Sequence, residues 1–219
     1  MNRIPLAAAL LSMVVSSPAI AQTATVSDPV SDFLPSFTGV VSPDVDVTSF
    51  SVSLNPAATT FSLGAVLAGD INPSLTGFYV IGVNTGTGTL HPFGAIGEPN
   101  VAFNQAILVQ KDGTATLGAN SLTVLMSGNQ FIVDVPVLLL PSTGATPANY
   151  GFNIWPRDPT GAGLGAFSDF APNNALLSVN GILPVPEPAS WVMMLLGFGM
   201  VGGALRFGQR RKRVMAQLA

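Results

Sequence analysis

From Asp46 the chain reads DVTSFSVSL, with Phe50, Val52 and Leu54 at every second position and Ser between them. A period of two places alternate side chains on opposite faces of a strand, one buried and one wet. TTFSLGAVLA continues the pattern through Phe61, Leu63, Ala65 and Leu67, and LTGFYVIGV supplies a third β-prone run. VAFNQAILVQKDGTATLGA predicts a hairpin, because Asp112-Gly113 is a tight-turn dipeptide between β-prone flanks. SLTVLMS and NQFIVDVPVLLL pair in the same way around Gly128-Asn129, NYGFNIWP adds a strand, and ALLSVNGIL closes the set. No long stretch between these runs has a helical period with caps, and no solenoid-length repeat occurs. Short strands with turn signals roughly every 8 to 12 residues predict an all-β sandwich or barrel over residues 46–182. The preceding Ser-, Pro- and Thr-rich residues, 22–45, read as an N-terminal arm leading into the first strand. A body of about 160 residues can bury close to 70% of its extended-chain surface, so one β-domain suffices.

The two ends break this pattern. MNRIPLAAALLSMVVSSPAIAQ opens with Arg3, continues as an apolar run from Leu6 to Val15, and reaches Ala19-Ile20-Ala21. Charge, apolar length and small residues in that order predict a secretory signal peptide over 1–21, cleaved to leave Gln22 first. At the other end Ala189 to Leu205 carries no charge. As a helix it would be about 26 Å long, the short limit for crossing a bilayer core. Trp191 suits the headgroup region at one end, and Arg206, Arg210, Arg211, Lys212 and Arg213 hold the other end in the cytoplasm. Gly197, Gly199, Gly202 and Gly203 would let that helix pack closely against another.

Charge is as uneven as hydropathy. Between Gln22 and Pro184 only Lys111 and Arg157 are basic, against ten acidic residues from Asp28 to Asp169, so the body carries 2 − 10 = −8. That sign repels phosphates and excludes nucleic-acid binding as the expected role. Charged residues are only 9% of the chain, where about 25% is usual, and the hydrophobic ends explain part of the deficit.

Candidate chemistry in the body is sparse. There is no Cys, one His (His91 between Leu90 and Pro92), and no G-x-S-x-G elbow. No catalytic residue, metal site or cofactor is therefore expected, and a secreted hydrolase is disfavoured. Asp44 and Asp46, two apart, would share one face of a strand, and Asp158 and Asp169 follow later. Calcium needs six to eight oxygens, and no EF-hand or G-G-x-G-x-D repeat supplies them, so solvated turn carboxylates are the plainer reading. Thr85, Thr87 and Thr89 alternate with Gly and, if extended, would line one face toward ordered water or sugar hydroxyls. Tyr79, Tyr150 and Trp155 can either stack on polysaccharide or fill a core; a core is the commoner use in a small β-domain.

The stretch VPEPASW joins body to apolar segment. Pro186 and Pro188 lack N–H donors and push their predecessors out of the helical region, so this stretch should be extended, with Glu187 the only charge between Asp169 and Arg206. The tail PEPASWVMMLLGFGMVGGALRFGQRRKR resembles the PEP-CTERM sorting signal of Gram-negative bacteria in its PEP-x-x-W form. The likeness rests on Pro186, Glu187, Pro188, Trp191, Met194, Leu195, Gly197, Gly199, Gly202 and the basic cluster. Val192 stands where many members have Ala, and Phe207-Gly208-Gln209 separates Arg206 from the main basic block. The resemblance covers the tail alone, with the signal placed at 183–213 and 214–219 as a cytoplasmic end. It implies recognition and cleavage by exosortase, an integral-membrane cysteine transpeptidase, after export through the Sec translocon and processing by signal peptidase. The chain would be anchored in the inner membrane until cleavage and then reach the cell surface or extracellular matrix, where exopolysaccharide is a candidate partner. The expected function is that of a non-enzymatic exported protein; a glycan- or calcium-binding β-module is the alternative, ahead of a hydrolase or an ice-binding protein.

Overall fold

The structure, a computed structural model, describes residues 21–87 and 90–182. The leader predicted over 1–21 lies outside the described residues except for Ala21, and so does the span predicted at Ala189–Leu205. Among the described residues no helix is long and apolar enough to cross a membrane. The chain divides after Leu183 into two compact units, and the first holds every described residue.

This first unit is all-β, as the alternation predicts. Its strands are β1 Gln22–Ser27, β2 Val47–Leu54, β3 Thr60–Leu67, β4 Phe78–Asn84, β5 Gln105–Gln110, β6 Ala115–Leu117, β7 Asn120–Ser127, β8 Gln130–Pro136, β9 Gly151–Arg157, β10 Leu177–Ser178 and β11 Gly181–Ile182. Hydrogen bonding runs in the order β1-β2-β3-β8-β7-β6-β5-β4-β9-β10-β11, antiparallel throughout. The sheet folds over at the β6–β7 hairpin, so that β1 and β2 approach β10 and β9 across the interior. The result is a sandwich close to closing as a barrel.

The period-two residues make the core. Phe50, Val52 and Leu54 of β2, Phe61, Leu63 and Leu67 of β3, and Phe131, Val133 and Val135 of β8 face Tyr79, Ile81 and Val83 of β4 and Phe152 and Ile154 of β9. Aromatic rings bridge the layers, with Phe61 4.8 Å from Phe152 and Tyr79 5.0 Å from Phe131 between centroids. Each such side chain contributes about 1.5–3 kcal/mol by leaving water. The predicted turns fall where expected: Gly113 and Gly128 have φ of +85° and +58°, which glycine adopts without strain.

Two features go beyond the alternation. Gln22–Ser27, at the start of the stretch read as an arm, pairs along β2 from Gln22↔Leu54 to Ser27↔Ser49 and seats Ala24 and Val26 on the core. Its Thr and Ser leave only a thin apolar stripe, which suffices for an edge strand. Strands β4 and β9 are buried on both faces. Outside them lies a second core, in which Phe93 stands 5.0 Å from Trp155 and 4.9 Å from Phe170 between ring centroids. Gly82 makes room for it: a Cβ there would meet Trp155 Cη2 at 2.4 Å.

Candidate functional site

Near the junction of β1 and β2 three carboxylates converge, and a fourth, that of Asp46, borders them. The ladder of β1 extends to Asp28, whose N–H donates to Thr48 O at 3.0 Å. Pro29 then turns the chain, and Ser31 takes a left-handed conformation with φ of +64°. Its N–H donates to Asp46 Oδ2 at 2.8 Å, which fixes the turn and brings Asp32 back toward Asp28. Asp46 stands just before β2. Asp169 comes from the segment after β9, where Phe170 is locked into the second core and Ala171 pairs with Ile154. The Asp169 carboxylate accepts from Val47 N at 2.9 Å and from Phe170 N at 2.7 Å.

Oxygens of Asp28, Asp32 and Asp169 lie within 4.8 Å of one another. Burial, and then the charges of Asp169, Asp32 and Asp46, push the Asp28 carboxyl up to about 8. Burial is also the main cause that pushes Asp169 to about 7; the charges of Asp32 and Asp46 add to it, while the hydrogen bond from Val47 opposes it. Asp46 is raised chiefly by burial, against the Ser31 hydrogen bond. Like charges at this spacing cannot all ionise without a compensating cation.

Among the described residues no basic side chain supplies that compensation. The body has only Lys111 and Arg157. Lys111 Nζ is committed to Asp44 Oδ2 at 2.7 Å, and the Arg157 guanidinium lies over the rings of Phe78 and Phe167. A mature amino terminus at Gln22 would lie at the far end of β1, about 20 Å away along the strand.

The structure redistributes the carboxylates that spacing groups together. Asp44 and Asp46 do not share a strand face: Asp44 sits in a 3-10 turn, Pro43–Val45, and serves Lys111. Asp158 organises its own loop. Burial works against its charge, but hydrogen bonds from Thr160 N, Val40 N and Thr76 Oγ1 outweigh it and hold the carboxyl below its ordinary value. Of that set Asp169 meets Asp28 and Asp32, which sequence reasoning passed over, and Asp46 borders them through the Ser31 turn. The available signal was S-D-P-V-S-D, two acids bracketing a turn proline in a chain poor in charge.

The remaining candidates fall to structural roles. His91 is exposed, with Nδ1 3.3 Å from Pro99 O. Thr85 and Thr87 form no outward row: Thr85 is buried and donates to Pro141 O, while Thr87 N–H donates to Thr143 Oγ1. Thr89 lies outside the described residues. Tyr79, Tyr150 and Trp155 are buried and cannot stack on a polymer. Of the predicted cleavage residues, Ala21 and Gln22 are exposed at the start of β1, and Ala19 lies outside the described residues. Pro186, Glu187, Pro188, Trp191, the four glycines from Gly197 to Gly203 and the basic residues from Arg206 to Arg213 also lie outside them.

Comparison with known families matches residues 184–212 to the PEP-CTERM protein-sorting motif. The match includes the Pro-Glu-Pro residues, Trp191, the glycines and the basic residues through Lys212. No curated protein matches the chain. The tail of this protein is thus a PEP-CTERM sorting motif, which follows an all-β body of its own.

Proposed function

We propose that this is a non-enzymatic exported protein, delivered by its tail to exosortase and destined for the cell surface or the extracellular matrix. The observation that carries this reading is the sorting motif at residues 184–212. The motif implies exosortase as the processing partner. The apolar segment Ala189 to Leu205 holds the chain in the inner membrane, and Pro186 and Pro188, which disfavour a helix, suit the stretch to the extended conformation a peptide-cleaving site takes. The leader, with Ala19-Ile20-Ala21 ahead of Gln22, sends the body through the Sec translocon to the outer side, where signal peptidase removes it.

The test is fractionation of paired hosts with and without a working exosortase. The proposed reading expects a full-length membrane species without the enzyme and a shorter species, lacking the tail, with it. A full-length membrane protein in both hosts would reduce the tail to a permanent anchor.

A further inference from the structure

We propose that Asp28, Asp32, Asp46 and Asp169 bind a divalent cation of the calcium type, which staples the first segment of the mature chain to the sandwich. Two independent observations carry the site. First, Asp28, Asp32 and Asp169 each offer an oxygen within 4.8 Å of the others. An ion with bonds to oxygen of about 2.4 Å spans oxygens up to about 4.8 Å apart. Second, Asp46 is only 2% exposed, yet its Oδ1 receives no hydrogen bond. Its other oxygen is held by Ser31 N, next to Asp32, and Val47 N, next to Asp46, donates to Asp169, so the Asp46 carboxyl borders the cluster. Asp28 Oδ2 and Asp32 Oδ1 are buried and bare as well. Buried acceptors ordinarily find donors, and bare carboxylate oxygens on two members of the cluster, with a third on the bordering Asp46, are what a cation satisfies.

The donor set selects the ion. All the donors are hard carboxylate oxygens, no Cys exists, and the single His lies elsewhere, beside Pro99. Soft or nitrogen-seeking metals are disfavoured. Magnesium prefers bonds near 2.0–2.1 Å in strict octahedra, whereas calcium accepts a wider and less regular shell of six to eight oxygens. Backbone carbonyls and water fill the positions the carboxylates leave. The choice of calcium as the resident ion rests on the exported placement proposed above; the cation site itself does not.

The consequence is a ligand-dependent closure of the domain. Asp28 and Asp32 follow the edge strand β1, Asp46 precedes β2, and Asp169 follows β9. One ion therefore joins both layers of the sandwich near its open edge. Without it the carboxylates can ionise together only at the cost of mutual repulsion, which weakens that corner.

The experiment uses the full chain purified in detergent, stripped with EDTA, then melted and titrated by calorimetry with CaCl2 and, separately, MgCl2. Millimolar calcium should raise the melting temperature of the wild type by about 5 to 10 °C, the shift for a ligand near a hundred times its Kd acting on a domain of this size. In EDTA, Asp32→Asn should melt no lower than wild type, because it removes a like charge. In calcium it should gain less than half the wild-type shift and bind at least about tenfold more weakly. A residue of purely structural role would instead lower the melt equally in both solutions, which overturns the proposal. So does a wild type that gives neither binding heat nor a shift with calcium. Magnesium acting as strongly as calcium overturns the calcium-type geometry. If Asp32→Asn does not fold, the wild-type titration decides alone, and Asp28→Asn repeats the comparison. Purified protein in a calorimeter needs no exosortase, so failure here and failure of the sorting reading are separate results.

Discussion

Lys111 Nζ lies 2.7 Å from Asp44 Oδ2, and neither side chain reaches solvent. The lysine sits beside the Asp112-Gly113 turn, where a solvated charge would be ordinary, yet it folds inward. There it also donates to Thr76 O at 3.0 Å, while Asp44 accepts from Ser42 Oγ and Asn72 N. Each remaining polar atom thus has a partner, the condition under which a buried ion pair is tolerated.

Removing one partner leaves the other charge buried. Lys111→Met should therefore cost roughly 3–5 kcal/mol in urea unfolding, and Asp44→Asn should be costly for the same reason. The double variant should lose much less than the sum of the two singles. The cost should change little with added salt, because the pair is shielded from ions. A loss below about 1 kcal/mol, the range of surface pairs, would show that the pair opens to water.

The second core depends on a missing side chain. A Cβ on Gly82 would meet Trp155 Cη2 at 2.4 Å and Cζ3 at 2.6 Å. The indole cannot retreat, because Phe93, Phe103 and Phe170 pack around it. Gly82→Ala should destabilise by about 1–3 kcal/mol, the usual cost of overpacking. Intrinsic fluorescence and near-ultraviolet circular dichroism would report the displaced ring. Trp155→Leu placed in the same chain should recover part of the loss, and unchanged spectra in Gly82→Ala would contradict the packing described.

Glu98 ties two loops that cover this core. Its carboxylate accepts from Asn174 N, and Asn174 Oδ1 in turn accepts from Asn100 N at 2.9 Å. Burial raises the Glu98 carboxyl above its ordinary value, against that hydrogen bond. The folded state therefore holds this proton more tightly than the unfolded chain does. Its contribution is fully present below the unfolded value and is lost as pH rises through the folded one. Gln keeps an acceptor for Asn174 and does not titrate. In EDTA, Glu98→Gln should gain melting temperature relative to wild type as pH rises above the ordinary glutamate value. A difference that stays constant with pH would rule out this titration. Taking the difference between two chains cancels the titration of the carboxylate cluster, which both share.

Much of the fold was legible because period two is a local property. Phe50, Val52 and Leu54 declare their face within five residues, and Gly113 and Gly128 mark turns without reference to anything distant. The edge strand was harder to read. Thr23 and Thr25 alternate with Ala24 and Val26, a weak stripe that becomes a strand only because β2 offers a free edge. The carboxylate cluster was less legible still. Asp46 and Asp169 stood out as acids, but nothing local says that Asp28 and Asp32 turn back to meet them. That meeting depends on the Ser31 turn and on Phe170 being locked into a core whose ring packing no periodicity encodes.

The tail divides into parts with separable failures. On the proposed sorting reading, insertion would depend on the summed transfer energy of the apolar residues from Ala189 to Leu205, of which Leu and Phe each contribute a few tenths of a kcal/mol. A change outside that segment cannot reverse it. Recognition would instead depend on the Pro-Glu-Pro residues and the Glu187 carboxylate. Glu187→Ala and Pro188→Ala should therefore remain full-length membrane proteins in a host that trims the wild type. Their β-bodies should melt as the wild type does, because the folded unit ends at Leu183. Neutral residues in place of Arg210, Arg211, Lys212 and Arg213 should fail differently. They would remove the charges expected to keep the end inside, so orientation or retention should be lost while Pro-Glu-Pro stays intact. A gel of membrane and released fractions, with protease added from outside, separates the two outcomes. If Glu187→Ala and Pro188→Ala were trimmed like wild type, the prolines would serve only to end the body before an anchor, and recognition would have to lie within the apolar segment.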